Sequence, residues 1–497
     1  MKRFFLPVKH RTVAIVVCAA VMICSFSGCS PQMKEQAQSL SSICQNIASQ
    51  IQSSFDAASH SLSEAVSSAV FGSSAGGPYS ASKASAASPK KTLVSLNPGK
   101  GDVQSVKKIT SGIPTSSTPK KTVTAVSAPA SHYSKIQQNS EYRNLPDGAE
   151  RELYQLIGSS VYQIAYQKSS SGYYPIAQIS CSGDVSEAQI RVAMSAYMDD
   201  NPQVFWLADV YGFGMQGGRT VLQLYSLESP GECTAAITRF DAAVASAVRS
   251  VPSGLSEFDR EECLFNYLVG HCSYDNAAVT DNSRWKAFTS YGAIVDGSAV
   301  CEGYSRAMQL LAGDVGLNCT LVRGSSDGVG HMWNQIKIDG SWYNLDVTWC
   351  DNSITIYNYY NITDSVLSQT HAIGSSVANL SEAQIDSGTV QYNVVLHSCN
   401  STEANYFKYK GISVSTLDGS EDTRIVRKLS SDLRAGKKSV AFLIGGKYNI
   451  TVEGMVSGKL SNWLADAQKQ TGKSLVGGTK YVTDQADRGM TIQISYR

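Results

Sequence analysis

Between residues 33 and 70 the apolar positions recur at steps of three or four: Met33, Ala37, Leu40, Cys44, Ile47, Ile51, Phe55, Ala58, Leu62, Val66 and Ala69. Neither Pro nor Gly interrupts the run, which predicts an amphipathic helix with a Ser/Gln-rich polar face, read as a helical stalk over 29–71. The pattern then stops. Ser, Ala, Pro, Thr and Lys dominate residues 72–133, and eight lysines face a single acid, Asp102. Such a segment cannot bury a core, so 72–135 reads as a disordered linker.

Near Asn139 the periodicity returns. Helices are predicted over 147–160, Glu187–Tyr197, 231–250 and 256–270, with a strand at "RTVLQLYSL". Another helix starts at Cys301, because Tyr304, Met308, Leu311, Ala312 and Val315 follow at helical spacing. Two alternating segments, "HMWNQIKI" and "SWYNLDVTWC", flank Asp339-Gly340 and read as a β-hairpin. After about residue 400 the pattern resets: a strand over Tyr406–Val414, a helix over Asp422–Ala435, a strand over Ser439–Ile444, a helix over Ser461–Gln470 and two short strands. That set suffices for a small two-layer α/β domain over 401–497, with a larger domain over 136–400.

Gly212, Gly214 and Gly217 match G-x-G-x-x-G. A dinucleotide-binding turn must open a helix, whereas these glycines precede a strand, so the stretch reads as a hairpin turn.

The formal charge is +1, which points to no nucleic-acid partner. The N-terminus says more. Lys2, Arg3, Lys9 and Arg11 precede the apolar run Thr12–Phe26, followed by Ser27-Gly28-Cys29. This is a secretory signal over 1–28, and its small-small-Cys ending resembles a bacterial lipoprotein signal. Cys29 is then the lipidated residue, and the chain is expected at the outer face of the cell membrane. The basic linker suits contact with an anionic cell envelope. Of twelve cysteines, Cys44, Cys181, Cys233, Cys263, Cys272, Cys301, Cys319, Cys350 and Cys399 lie beyond the signal and Cys29. They form no zinc-spaced cluster, so neither a metal nor another cofactor is expected.

Cys301 is the candidate nucleophile. At a helix start the unpaired N–H groups and the dipole favour a thiolate. A thiol nucleophile needs a base, and the base an orienting partner. With Asp339-Gly340 at the turn centre, Ile338 pairs with Ser341 and His331 falls opposite Thr348. Asp346 then sits diagonally on the same face, within reach of the imidazole. Cys301 attacks, His331 carries the proton, and Asp346 fixes the tautomer.

The motifs V-C-x-G-Y at 300–304, G-H-x-W-N at 330–334 and D-G-x-W-Y-x-x-D-x-T-W at 339–349 resemble the transglutaminase-like superfamily, and bacterial cell-surface members in particular. The resemblance is strong over Tyr291–Asp351. It implies an α+β, papain-like core over 256–372, with a Cys-bearing helix packed on an antiparallel sheet bearing His and Asp. It further implies Cys301, His331 and Asp346 as catalytic, Trp333 and Asn334 as cleft-shaping, and Tyr291 as an oxyanion candidate beside the Cys301 N–H. Cys350 puts a second thiol near the site in sequence, a possible redox partner. Three functions fit: hydrolysis of peptide or protein amides, glutamine–lysine transamidation through the same thioester, and a non-catalytic surface binding module.

Overall fold

The computed structural model describes residues 140–493 apart from 327, 353–354, 446–451, 476–480 and 485–488, together with two short strands. The signal read over 1–28, Cys29 and the stalk read over 29–71 lie outside the described residues. So does the linker read over 72–135, except for those two strands. Val94–Ser95 pairs with Tyr211 and Val210, and Val123–Ala125 pairs with Gln163–Ala165. Among the described residues no helix is long and apolar enough to cross a membrane.

The chain first builds a helical layer and a hairpin. Helix α1 (Ala149–Ser160) buries Leu153, Tyr154 and Ile157 at the spacing of one helix face. Helix α2 (Glu187–Asp200) starts at a reciprocal capping box between Ser186 and Gln189 and is buried on nearly every side. Strands β1 (Leu207–Gln216) and β2 (Arg219–Ser226) turn at Gly217-Gly218, with φ of 58° and 74°. Two successive positive φ values suit glycine; of the G-x-G-x-x-G stretch only Gly217 lies in this turn, while Gly212 and Gly214 are paired within β1. Helices α3 (Pro230–Arg249) and α4 (Glu257–His271) follow, capped by Ser229 and Ser256.

Helix α5 (Cys301–Asp314) is buried from Cys301 through Gly313 and forms the spine of the core. Gly303 has no room for a side chain: a Cβ would stand 2.4 Å from the Ala287 carbonyl oxygen, so the first turn seats directly on the 287–289 backbone. Against α5 lies an antiparallel sheet of β3 (Asn318–Ser326), β4 (Val329–Ile338), β5 (Ser341–Leu345) and β6 (His371–Ile373), in the order β5-β4-β3-β6. Asn334 fastens the two layers, its Nδ2 donating to Ser305 O of α5 at 3.0 Å and to Thr320 O of β3 at 3.2 Å. A buried ion network ties α2 to α5 and β3: Asp199 pairs with Arg306 and Arg323, and Arg306 with Glu302.

The hairpin turn is the two-residue one expected, with Ile338 opposite Ser341. The strand after it is shorter than expected. Pairing stops at Asn334–Leu345, and Val347–Cys350 is a helical turn. The cause is Asp346, whose side chain caps that turn by accepting from Trp349 N at 3.0 Å.

Beyond residue 400, Tyr406–Tyr409 is a helical turn and not the start of a strand. Asn405 caps it, accepting from Phe407 N and Lys408 N, which overrides the β-propensity of its aromatics. The main elements that follow are β7 (Ile412–Val414), α6 (Asp422–Arg434), β8 (Ser439–Ile444), α7 (Ser461–Thr471), β9 (Tyr481–Asp484) and β10 (Gly489–Gln493), with helical turns over Val452–Met455 and Val456–Leu460 leading into α7. The sheet order is β7-β8-β10-β9. Strands β7 and β8 are parallel and joined through α6; the other pairs are antiparallel. Val414, Leu429, Phe442, Trp463 and Ile492 lie in the core of this layer pair.

Candidate active site

The first turn of α5 holds Cys301 at a helix N-terminus. Its backbone N–H, like those of the next residues, has no intrahelical acceptor. Ser305 Oγ donates to Cys301 O at 2.8 Å and to Met332 O at 3.0 Å, which fixes this turn against β4. The cysteine is nearly buried, at 9 % exposed.

His331 stands near the start of β4. Its Nε2 donates to Asp346 Oδ2 at 2.6 Å, although the ladder has ended before Asp346 is reached. The other ring nitrogen, Nδ1, is not engaged by Asp346, and the Cys301 side chain acts on the same imidazole electrostatically. The imidazole lies nearly parallel to the Trp333 ring, centroids 6.0 Å apart, and edge-on to Trp349 at 6.3 Å. Asp346 is 1 % exposed. Its Oδ1 accepts from Trp349 N, and its own N–H is held by Tyr359 O at 2.9 Å.

The electrostatics favour an ion pair. Burial opposes a charged imidazole, but the facing Asp346 carboxylate and the Cys301 sulfur outweigh it, and the His331 pKa rises to about 10. Burial likewise opposes the Asp346 charge, yet His331 and then His371 hold its carboxyl well below the usual carboxylate range. The sign gives a prediction. A raised imidazole value means that His331 keeps its proton through neutral pH, with its nitrogen resonances moving only near pH 10. In Cys301→Ala one of the two groups that raise this value is gone, so the NMR inflection of His331 should fall by roughly one to three pH units. An unmoved inflection would show that Cys301 is no partner of the ring.

A second histidine, which the sequence reading passed over, shares the carboxylate. His371 on β6 places Nε2 at 3.1 Å from Asp346 Oδ2, and its Nδ1 lies 2.8 Å from Thr370 Oγ1. Strand register explains the meeting: His331 is opposite Gly324, and His371 is opposite Ser326 on the same strand β3. Among the described residues, ligand atoms of His331, Asp346 and His371 all lie within 4.8 Å of one another, a spacing a metal could use. With no ion between them, the ionised carboxylate only accepts hydrogen bonds, so both Nε2 atoms donate to it.

The other residues singled out from sequence are placed as follows. Trp333 is fully buried behind His331, its Nε1 donating to Asn344 Oδ1 at 3.3 Å. Asn334 is also fully buried, and it positions α5 on the sheet instead of lining a cleft. The Tyr291 hydroxyl accepts from Arg239 Nε at 2.9 Å and its ring packs between Phe205 and Phe240; its described contacts do not include Cys301, His331 or Asp346. Cys350 is buried, and none of the described cysteines, Cys301 included, is in a disulfide.

Residues 245–347 match the model of the transglutaminase-like superfamily. This range contains Cys301, His331 and Asp346. Residues 245–347 are a transglutaminase-like domain. The mouse and human proteins named kyphoscoliosis peptidase are each 26 % identical to this chain over 106 residues, covering 19 % of this chain and 16 % of the relative. The match therefore spans a small part of each relative's length. A crystal structure described as that of a TGase aligns over 34 % of this chain and 50 % of its own, at 16 % identity and a TM-score of 0.21. The described residues mix helices and sheets, the matched range supplies a transglutaminase-like core, and His371 lies outside that range.

Proposed function

We propose that the chain is a thiol enzyme that cleaves peptide or protein amide bonds through a thioester on Cys301. The observation that carries this reading is the His331 Nε2 to Asp346 Oδ2 bond of 2.6 Å, which leaves Nδ1 unengaged by the carboxylate while a cysteine at a helix start acts on the same ring. The Cys301 sulfur attacks the amide carbon as a thiolate while His331 holds the proton. Charge developing on the carbonyl oxygen is met by the Cys301 N–H, which the helix leaves unpaired. The C–N bond breaks as His331 passes its proton to the departing amine. Water then gives a proton to His331 and attacks the thioester, which releases the acid and restores the thiolate–imidazolium pair.

Two relatives carrying the word peptidase in their names support hydrolysis over transfer to a lysine amine. The sequence Met1 to Cys29 supports an exported enzyme tethered through lipid on Cys29, acting on envelope or extracellular proteins.

The test is to incubate the full chain with peptide pools, with and without an added primary amine, and to weigh the products. Hydrolysis predicts cleaved or deamidated peptides, each explained by one added water, in both samples. Products that carry the amine would replace this reading by transamidation. Unchanged peptides in both samples would favour the binding module.

A further inference from the structure

His371 takes no part in the steps above, yet it is the second imidazole on the oxygen that orients His331. We propose that His371 is a positioning residue, which clamps the Asp346 carboxylate and so fixes the direction in which that carboxylate meets His331. The proposal rests on the reading of Cys301, His331 and Asp346 as the reacting set.

Three donors fill the two oxygens of Asp346. His331 and His371 reach Oδ2 at 2.6 and 3.1 Å, and the Trp349 N–H reaches Oδ1 at 3.0 Å. With Trp349 N–H alone on the far oxygen, the carboxylate could still swing about its Cα–Cβ and Cβ–Cγ bonds. A second donor at Oδ2 removes that freedom. His371 is itself held. Its Nε2 must carry a proton to meet a carboxylate, and its Nδ1 is hydrogen-bonded to the Thr370 hydroxyl at 2.8 Å. Its side chain is fully buried. The Trp333, Trp349 and Tyr359 rings surround it at 5.2, 5.0 and 5.4 Å. Water cannot readily substitute for the bond it makes.

The shared oxygen has an electrostatic consequence. The His371 N–H dipole ends on the atom that pulls on the His331 proton, and its positive end faces the imidazolium. It therefore tempers the pull of Asp346. The groups that face His331 are Cys301 from α5, Asp346 after β5, and His371 from β6, with the uncharged Trp333 and Trp349 rings beside them. Loss of the His371 donor should let His331 hold its proton to higher pH while pointing less consistently at the cysteine.

The experiment compares the full-length wild type with His371→Phe, His371→Gln and Thr370→Val. It reads the iodoacetamide alkylation rate of Cys301 against pH by peptide mass spectrometry, alongside kcat and KM for a cleaved peptide. His371→Phe should lower kcat roughly tenfold or more, as loss of an orienting partner behind a working histidine does, with KM nearly unchanged. Its upper inflection in the alkylation profile should move to higher pH. His371→Gln, whose amide N–H can still reach Oδ2, should recover most of both. Thr370→Val, which frees the ring without emptying its site, should change both in the same direction by less. If His371→Phe does not fold, Thr370→Val decides. Wild-type kcat and a wild-type inflection in the folded variants would overturn the proposal. The alkylation profile separates this failure from failure of the functional reading. A wild type that cleaves nothing, yet shows the inflection and its shift in the variants, keeps His371 as a positioning residue and removes only the hydrolase.

Discussion

Cys301→Ala is expected to abolish turnover, by roughly four orders of magnitude or more, while the chain keeps its fold. The large effect follows from chemistry, since without the sulfur there is no atom to take the acyl group. The small structural effect follows from position. Cys301 is the first residue of α5, and the turn is held by bonds that do not involve its side chain. Ser305 Oγ reaches the Cys301 carbonyl, and Val300 N donates to Ala287 O at 2.9 Å. Ala fits a helix start without strain, so stability should change by about 1 kcal/mol or less. Peptide turnover and urea unfolding, measured on the same preparation, check both halves. A folded Cys301→Ala chain that retains turnover would place the chemistry elsewhere.

Asp346→Asn is expected to be nearly as damaging to activity, with a fall of roughly a thousandfold or more, and it should also cost stability. An amide cannot stabilise the imidazolium, and it favours the wrong tautomer of His331. The stability cost comes from counting donors. The carboxylate accepts from two imidazoles on one oxygen and from the Trp349 N–H on the other. An amide has one oxygen. Whichever way it is turned, its NH2 faces a buried donor, at a cost of about 1–3 kcal/mol. Asp339→Asn is the control. Asp339 sits at φ 48° in the hairpin turn, a conformation that Asn tolerates. Stability there should stay within about 0.5 kcal/mol. Kinetics and denaturant unfolding of both variants check this. An Asp346→Asn chain with wild-type turnover would remove the carboxylate from the mechanism.

The parts of this site that were legible in sequence are those set by local pattern. The apolar spacing after Cys301 placed that residue at a helix start, and Asp339-Gly340 fixed the register of the hairpin. The route from His331 to Asp346 was read less well. The diagonal across two strands assumed that β5 continued, whereas Asp346 ends the strand by capping the next turn, and the contact is made off the ladder. For Asn334 the strand pattern itself carries the answer. Alternation along β4 puts His331 and Trp333 on one face and Asn334 on the other, toward α5. His371 was out of reach for a different reason. It meets Asp346 only because β6 pairs with the far edge of β3, and nothing in the local sequence near residue 371 specifies that partner. Tyr406–Tyr409 shows the opposite error, since a single cap at Asn405 outweighs the strand preference of three aromatics.

The central claim is that Cys301 carries the acyl group. Rapid acid quench of the full chain during turnover of a peptide amide, followed by mass spectrometry of the intact protein and of its Cys301 peptide, tests it directly. The account predicts an added acyl mass on Cys301 that hydroxylamine removes, that decays to free acid in water, and that never forms in Cys301→Ala. Turnover with no acyl mass on Cys301 at any quench time, together with an active Cys301→Ala chain, would contradict it.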